Sequence, residues 1–231
     1  MTAPAATGRT DVLVRIWCAL VAVIVAVTMV VQLGMTLSGK HILVPAGGRL
    51  PAAPVRLVRF FSYFTIQSNL LCMLTSAVLF VRPGFSPRWF RVLRLNALVG
   101  ISVTGVIYVT LLRPVVNLSG LPKLTDISFH YVVPLLMFCG WLLVRALGGR
   151  DVRLDSGVLL PSLIWPALYM VWVVIWGAAT DWYPYPFIDV VTLGYLTVIR
   201  NGIGISLLLL GLSVLFQRLD DYRESRFARR G

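Results

Sequence analysis

The residues best suited to chemistry in this 231-residue chain stand where a polar side chain is expensive. Thr65 and Asn69 lie within RFFSYFTIQSNLLCMLTSAVLFV, and Asp126 and His130 within LTDISFHYVVPLLMFCGW. A hydroxyl and an imidazole at one depth are the minimum for nucleophilic acyl transfer. The imidazole takes the hydroxyl proton, the alkoxide attacks a carbonyl carbon, and the imidazolium then protonates the leaving group. In that scheme Thr65 is the nucleophile and His130 the general base and acid. Asn69, one turn from Thr65, could donate an amide N–H to the oxyanion. Asp126 shares a helix face with His130, four residues on, and could orient the ring.

A blander reading stands beside this one. Ser62, Thr65, Asn69, Cys72 and Ser76 recur at steps of three and four, on one face of a helix that must look away from lipid. Such residues commonly bond across membrane helices, and for Ser62, Cys72 and Ser76 that role is sufficient. His130 is the only histidine within an apolar run, since His41 falls between runs. An ionisable group at membrane depth is a functional-site hypothesis by default. Asn96, Gly100, Thr104 and Tyr108 form a second inward stripe, and Thr104 and Tyr108 approach the outer side and could line the same cavity as substrate contacts. Arg200 and Asn201 lie eight or nine residues inside the last run. Arg200 there needs a partner: Asp189, Asp126, backbone carbonyls or a bound carboxylate. The segment TDWYPYPFIDV carries Trp182, Tyr183, Tyr185 and Phe187, which suit an interfacial aromatic belt. Its two prolines stiffen it into a candidate lid, with Tyr183 and Tyr185 as further substrate contacts.

The elements that must position these groups follow from composition. Hydrophobic residues make up 58% and charged residues 13%, with a mean hydropathy of +0.85, which excludes an ordinary soluble enzyme and a disordered chain. A crossing helix needs about 20 apolar residues. Six runs qualify: 12–37, 57–81, 92–112, 124–147, 158–178 and 192–216, predicting an all-α bundle of six transmembrane helices over residues 11–217. Residues 218–231 form a basic cytoplasmic tail, and the first ten residues and the tail after Asp221 are expected to be mobile. The first run, preceded by Arg9 and Arg15, resembles a signal peptide in charge, but its length favours a retained span. Fourteen Lys and Arg flank the spans on the side of the termini and six on the other. By the positive-inside rule both termini are cytoplasmic, in a multi-pass protein of the cytoplasmic (inner) membrane. The net charge of +12 is thereby read as topology and contact with bilayer lipids, not nucleic acid. Thr65 is six residues beyond Arg59 and His130 seven beyond Lys123. At 1.5 Å per residue both sit about 9–11 Å below their flanking cations, in the outer half of the bilayer.

Other chemistries lack their motifs. There is no GxSxG, HExxH or Walker loop, and Cys18, Cys72 and Cys139 are isolated, so no metal site and no cofactor are expected. The arrangement of FFSYFTIQSNLL, FHYVVPLL and WYPYPFID resembles a bacterial family of six-span membrane proteins, over roughly residues 56–210. That family is similar to the eukaryotic androgen-induced-gene family of integral membrane threonine hydrolases. The resemblance implies an intramembrane threonine nucleophile with a histidine partner, falling on Thr65 and His130. It also implies cleavage of fatty acid esters of hydroxy fatty acids. The expected function is therefore hydrolysis of a lipid ester. The alternatives are a lipid-binding or transport protein using the same polar-lined cavity, and a structural bundle whose polar residues are glue.

Overall fold

The computed structural model describes residues 5–39, 49–146, 154 and 156–228. Lys40, His41, Arg150, Arg153, Arg229 and Arg230 lie outside the described residues, as do residues 1–4 of the expected N-terminal tail. Among the described residues there is no strand. The first helix, α1, is Ala5–Ser38, followed by α2 (Ala53–Phe61), α3 (Phe64–Val81) and α4 (Arg88–Ile107). Then come α5 (Gly120–Ile127), α6 (Val133–Ala146), α7 (Leu159–Ser162), α8 (Ile164–Thr180) and α9 (Val190–Ala228). Six stretches are long and apolar enough to cross a membrane: Thr10–Ser38, Phe64–Val81, Arg88–Leu112, Gly120–Leu143, Leu159–Thr180 and Val190–Tyr222. The chain is an all-α, multi-pass membrane bundle.

Three features depart from uninterrupted spans. The predicted second span, 57–81, is two helices: Tyr63 is extended (φ −76°, ψ 126°) and separates α2 from α3. The third and fourth spans each contain a π-helical turn, Tyr108–Leu112 after α4 and Ser128–Val132 between α5 and α6. Pro134 supplies a cause for the second of these. It has no N–H to return to the His130 carbonyl four residues earlier, and its ring crowds that carbonyl, so the turn widens. The sixth span is kinked at Gly194 (φ 73°, ψ 159°), a conformation open essentially to glycine alone. Beyond it the helix runs on to Ala228, well past the predicted end at Phe216.

The core joins α1, α3, α4 and α6. Val21 and Val25 of α1, Cys72 of α3, Leu95, Leu98 and Ile101 of α4, and Met137 and Trp141 of α6 are all buried. The polar stripe of the second span is buried with them: Ser62, Thr65, Asn69, Cys72 and Ser76 all face inward. Helices α8 and α9 are much less enclosed, and the space they leave against α3 and α4 becomes the cavity described below. Close approach of α1 to α6 depends on Gly140. A Cβ there would stand 2.1 Å from Trp17 Nε1, whose N–H donates to the Leu136 carbonyl at 2.9 Å. Gly140→Val should expel Trp17 and lower stability by about 1–3 kcal/mol through overpacking. Gly211→Val, where nothing lies within 4 Å, serves as control. Thermal unfolding in detergent measures both, and equal midpoints would contradict this packing.

Candidate active site

Thr65 is the second residue of α3, immediately after the break. An interrupted helix needs partners for its freed backbone groups where they are buried. Gln67 Nε2 donates to the Phe61 carbonyl at 2.9 Å, and Ser62 Oγ turns back to the Val58 carbonyl at 2.8 Å. Helix α8 braces the same place. Trp165 Nε1 donates to Gln67 Oε1 at 3.0 Å and Trp172 Nε1 to Ser62 Oγ at 2.9 Å. Trp165 also stacks on Phe64, with ring centroids 4.7 Å apart. The Thr65 backbone N–H, one of the donors a helix start leaves unpaired, is taken by the Tyr185 hydroxyl oxygen at 3.0 Å.

The Thr65 hydroxyl meets two partners from distant parts of the chain. Its Oγ1 is 3.3 Å from His130 Nε2 and 3.2 Å from the Tyr185 hydroxyl. On the far side of the imidazole, Nδ1 lies 2.9 Å from the Asp126 carbonyl oxygen and 3.0 Å from Asp126 Oδ1. Both are acceptors, so Nδ1 carries the proton and Nε2 presents its lone pair to Thr65. Asp126 in turn accepts a hydrogen bond from the Tyr108 hydroxyl at its other oxygen. The Tyr108 ring stacks on the imidazole with centroids 4.0 Å apart and planes 17° apart. His130 and Tyr108 each sit within a π-helical turn. One run of donors therefore leads from Tyr185 through Thr65 and His130 to Asp126.

Thr65 forms part of the wall of an apolar cavity of ≈ 330 Å³. Val103, Thr104 and Ile107 of α4, Tyr169 and Met170 of α8, and Ile205 and Leu209 of α9 supply much of the rest. His130, Asp126 and Tyr108 are not among the lining residues, and the imidazole adjoins the cavity through its contact with Thr65. Thr104 belongs to the wall, and its hydroxyl is buried without a partner.

The remaining sequence candidates are placed differently. Asn69, read as an oxyanion donor, instead uses its Nδ2 on the Thr65 carbonyl at 2.9 Å and the Phe129 carbonyl at 3.4 Å. It ties the Thr65 helix to the residue before His130 and is not in the cavity wall. Arg200 is exposed and outside the wall, and neither Asp126 nor Asp189 lies within ion-pair distance. Asp189 caps the start of α9 instead, accepting from the Val191 N–H at 2.9 Å and the Thr192 hydroxyl at 2.7 Å. Asn201 donates to the Phe187 carbonyl at 2.8 Å, pinning the loop between α8 and α9 to α9. Tyr183 packs over Gly177, where a Cβ would stand 2.1 Å from the ring, and does not line the cavity. Sequence reasoning missed Tyr169 and the tryptophan braces of α8, because nothing in their spacing marks which face of that uniformly apolar helix turns inward.

Comparison with known proteins returns no matching family model, curated protein or solved structure.

Burial pushes the Tyr185 phenol up to about 12, opposed in part by its hydrogen bonds with Thr65. The fold thus favours the protonated phenol. That stabilisation is complete below the ordinary tyrosine range near pH 10 and is lost as pH rises towards about 12. The tyrosinate absorbance of wild type minus that of Tyr185→Phe should stay flat to about pH 11. A step near the ordinary tyrosine value would place this hydroxyl in water.

Proposed function

We propose that this chain is an intramembrane ester hydrolase acting on a lipid ester, with Thr65 as nucleophile and His130 as general base and acid. The observation that carries the reading is the 3.3 Å approach of Thr65 Oγ1 to an imidazole Nε2 whose other nitrogen is held by Asp126, at the wall of an apolar cavity. The separation is slightly longer than a direct proton transfer requires, as is common before substrate tightens a site. The resemblance to the androgen-induced-gene hydrolases supports the same pair and a fatty acyl substrate. The basic flanks support both termini lying in the cytoplasm and residence in the cytoplasmic membrane.

The steps balance on these groups. Thr65 Oγ1 gives its proton to His130 Nε2 and bonds to the ester carbonyl carbon, whose π pair moves to oxygen. Collapse expels the alcohol oxygen, which takes the proton from His130, leaving an acyl group on Thr65. Water, deprotonated by the same Nε2, attacks that acyl carbon. The second collapse returns the proton to Thr65 and releases the fatty acid. Asp126 offsets the imidazolium charge in both halves, and the surrounding apolar packing strengthens that interaction. The apolar wall receives the acyl chain, and water and the protein's own side chains supply all the atoms the steps need.

A fluorophosphonate probe and p-nitrophenyl octanoate in detergent micelles test the reading. Wild type should label and turn over. Thr65→Ala and His130→Ala should lose about 10²–10⁴-fold in rate, and Asp126→Asn less, through loss of the charge that offsets the imidazolium, because the Asp126 backbone carbonyl still accepts from Nδ1. Lipid binding with no labelling and no turnover would replace this reading with that of a lipid carrier. Variants that only lower the unfolding temperature of an inert protein would reduce the pair to structural glue.

A further inference from the structure

The reaction above generates an oxyanion, and Asn69, the donor suggested by spacing, is committed to two carbonyls. Another donor set stands at the nucleophile. We propose that the Tyr185 hydroxyl is a catalytic group of this site and that, with the Thr65 backbone N–H, it forms the oxyanion hole for a fatty acyl ester attacked by Thr65 Oγ1. The proposal rests on Thr65 being the nucleophile.

Both donors already converge beside the reacting atom. The Tyr185 hydroxyl is 3.2 Å from Thr65 Oγ1 and 3.0 Å from the Thr65 nitrogen. In the tetrahedral adduct the oxyanion is two bonds from Oγ1, within the space these two groups share. In the resting site the donors are occupied with one another: the N–H donates to the phenol oxygen, and the phenol O–H is free to donate to Oγ1. When Oγ1 bonds to carbon, its hydroxyl proton has gone to His130, and the phenol O–H can turn to the oxygen that has gained charge. The Thr65 N–H, at the positive end of α3 and fixed in direction, is freed for the same oxygen as the phenol shifts. A nucleophile's own backbone N–H is a recurring oxyanion donor. No rearrangement of the chain is needed.

The phenol is fixed for this role. Its ring stacks on Phe187 at 5.1 Å, with planes 7° apart, and meets Tyr63 edge-on at 5.6 Å. Tyr63 also meets Trp182 edge-on at 5.8 Å, and Arg59 lies over Trp182 at 4.9 Å. The Phe187 carbonyl is held by Asn201, and Pro184 and Pro186 restrict the backbone on both sides of Tyr185. Tyr185 is both buried and part of the cavity wall, so a bound carbonyl reaches it from the side that holds the acyl chain. A donor preorganised away from water acts on developing charge more strongly than on the neutral ester, which places its effect on the transition state.

The experiment uses the full-length protein in detergent with p-nitrophenyl octanoate. Tyr185→Phe should lower kcat by about 10²–10³-fold with KM within about two-fold of wild type. Fluorotyrosines of graded acidity at position 185 keep the ring and its packing, so they report on the hydroxyl even where Tyr185→Phe is unstable. With them kcat should follow phenol acidity at a pH where each phenol is protonated. Retention of wild-type kcat by Tyr185→Phe, or no dependence on phenol acidity, in a protein that Thr65→Ala inactivates, would overturn the oxyanion role and leave the nucleophile standing. Wild-type turnover that survives Thr65→Ala would overturn both.

Discussion

A backbone group buried away from water must be taken up by the protein itself, and the first N–H groups of a helix have no partner within it. The interruption at Tyr63 is the constraint on which the rest of this structure depends. It places Thr65 in the first turn of α3, where its N–H is available, instead of mid-helix, where that N–H would be spent on an earlier carbonyl. The groups that repair the break also assemble the site. Gln67 satisfies the Phe61 carbonyl and in turn receives Trp165 of α8, Ser62 receives Trp172, and Tyr185 of the loop between α8 and α9 receives the Thr65 N–H. Docking of α8, seating of the loop and exposure of Thr65 to the cavity are one network.

The other half of the site is set by two widened turns facing each other. Tyr108 and His130 lie in π-helical turns on neighbouring spans, stacked ring on ring, with Asp126 bonded to both. Such turns recur where a helix must aim a side chain that regular geometry would misplace. At Gly105, α4 passes close to this turn, and a Cβ there would sit in ordinary van der Waals contact with Pro134 at 3.4 Å and the His130 carbonyl at 3.5 Å. Because the surroundings are apolar, the ordered donors from Tyr185 to Asp126 polarise one another, and loss of any member leaves a buried polar group unpaired. Against this tight cluster, the looser enclosure of α8 and α9 leaves room for an apolar guest beside Thr65.

Much of this was legible in the sequence, for physical reasons that differ by element. The six spans follow from length and hydropathy, and the burial of Ser62, Thr65, Asn69, Cys72 and Ser76 from their helical spacing. Equal depth for Thr65 and His130 follows from counting residues from the flanking cations, and the two side chains meet. The break after Phe61 was not legible. The stretch RFFSYFT holds neither Gly nor Pro, and only the tertiary partners of Tyr63, on the α8–α9 loop more than a hundred residues away, explain it. The roles of Asn69 and Arg200 were hidden for a related reason. Spacing places a side chain on a face and at a depth but does not say which carbonyl already claims it, nor which way a sparsely packed helix such as α9 turns. Pro134 was the one visible sign that the turn at His130 would be irregular.

The central claim is that Thr65 forms a covalent bond to the substrate's acyl group. Rapid acid quench of the wild-type protein during turnover of p-nitrophenyl octanoate, followed by proteolysis and mass spectrometry, tests it directly. The account predicts an octanoyl group on Thr65 that accumulates before steady state and is lost on a chase without substrate. Turnover with no acylated peptide, or with the acyl group on another side chain such as Ser206, would contradict it.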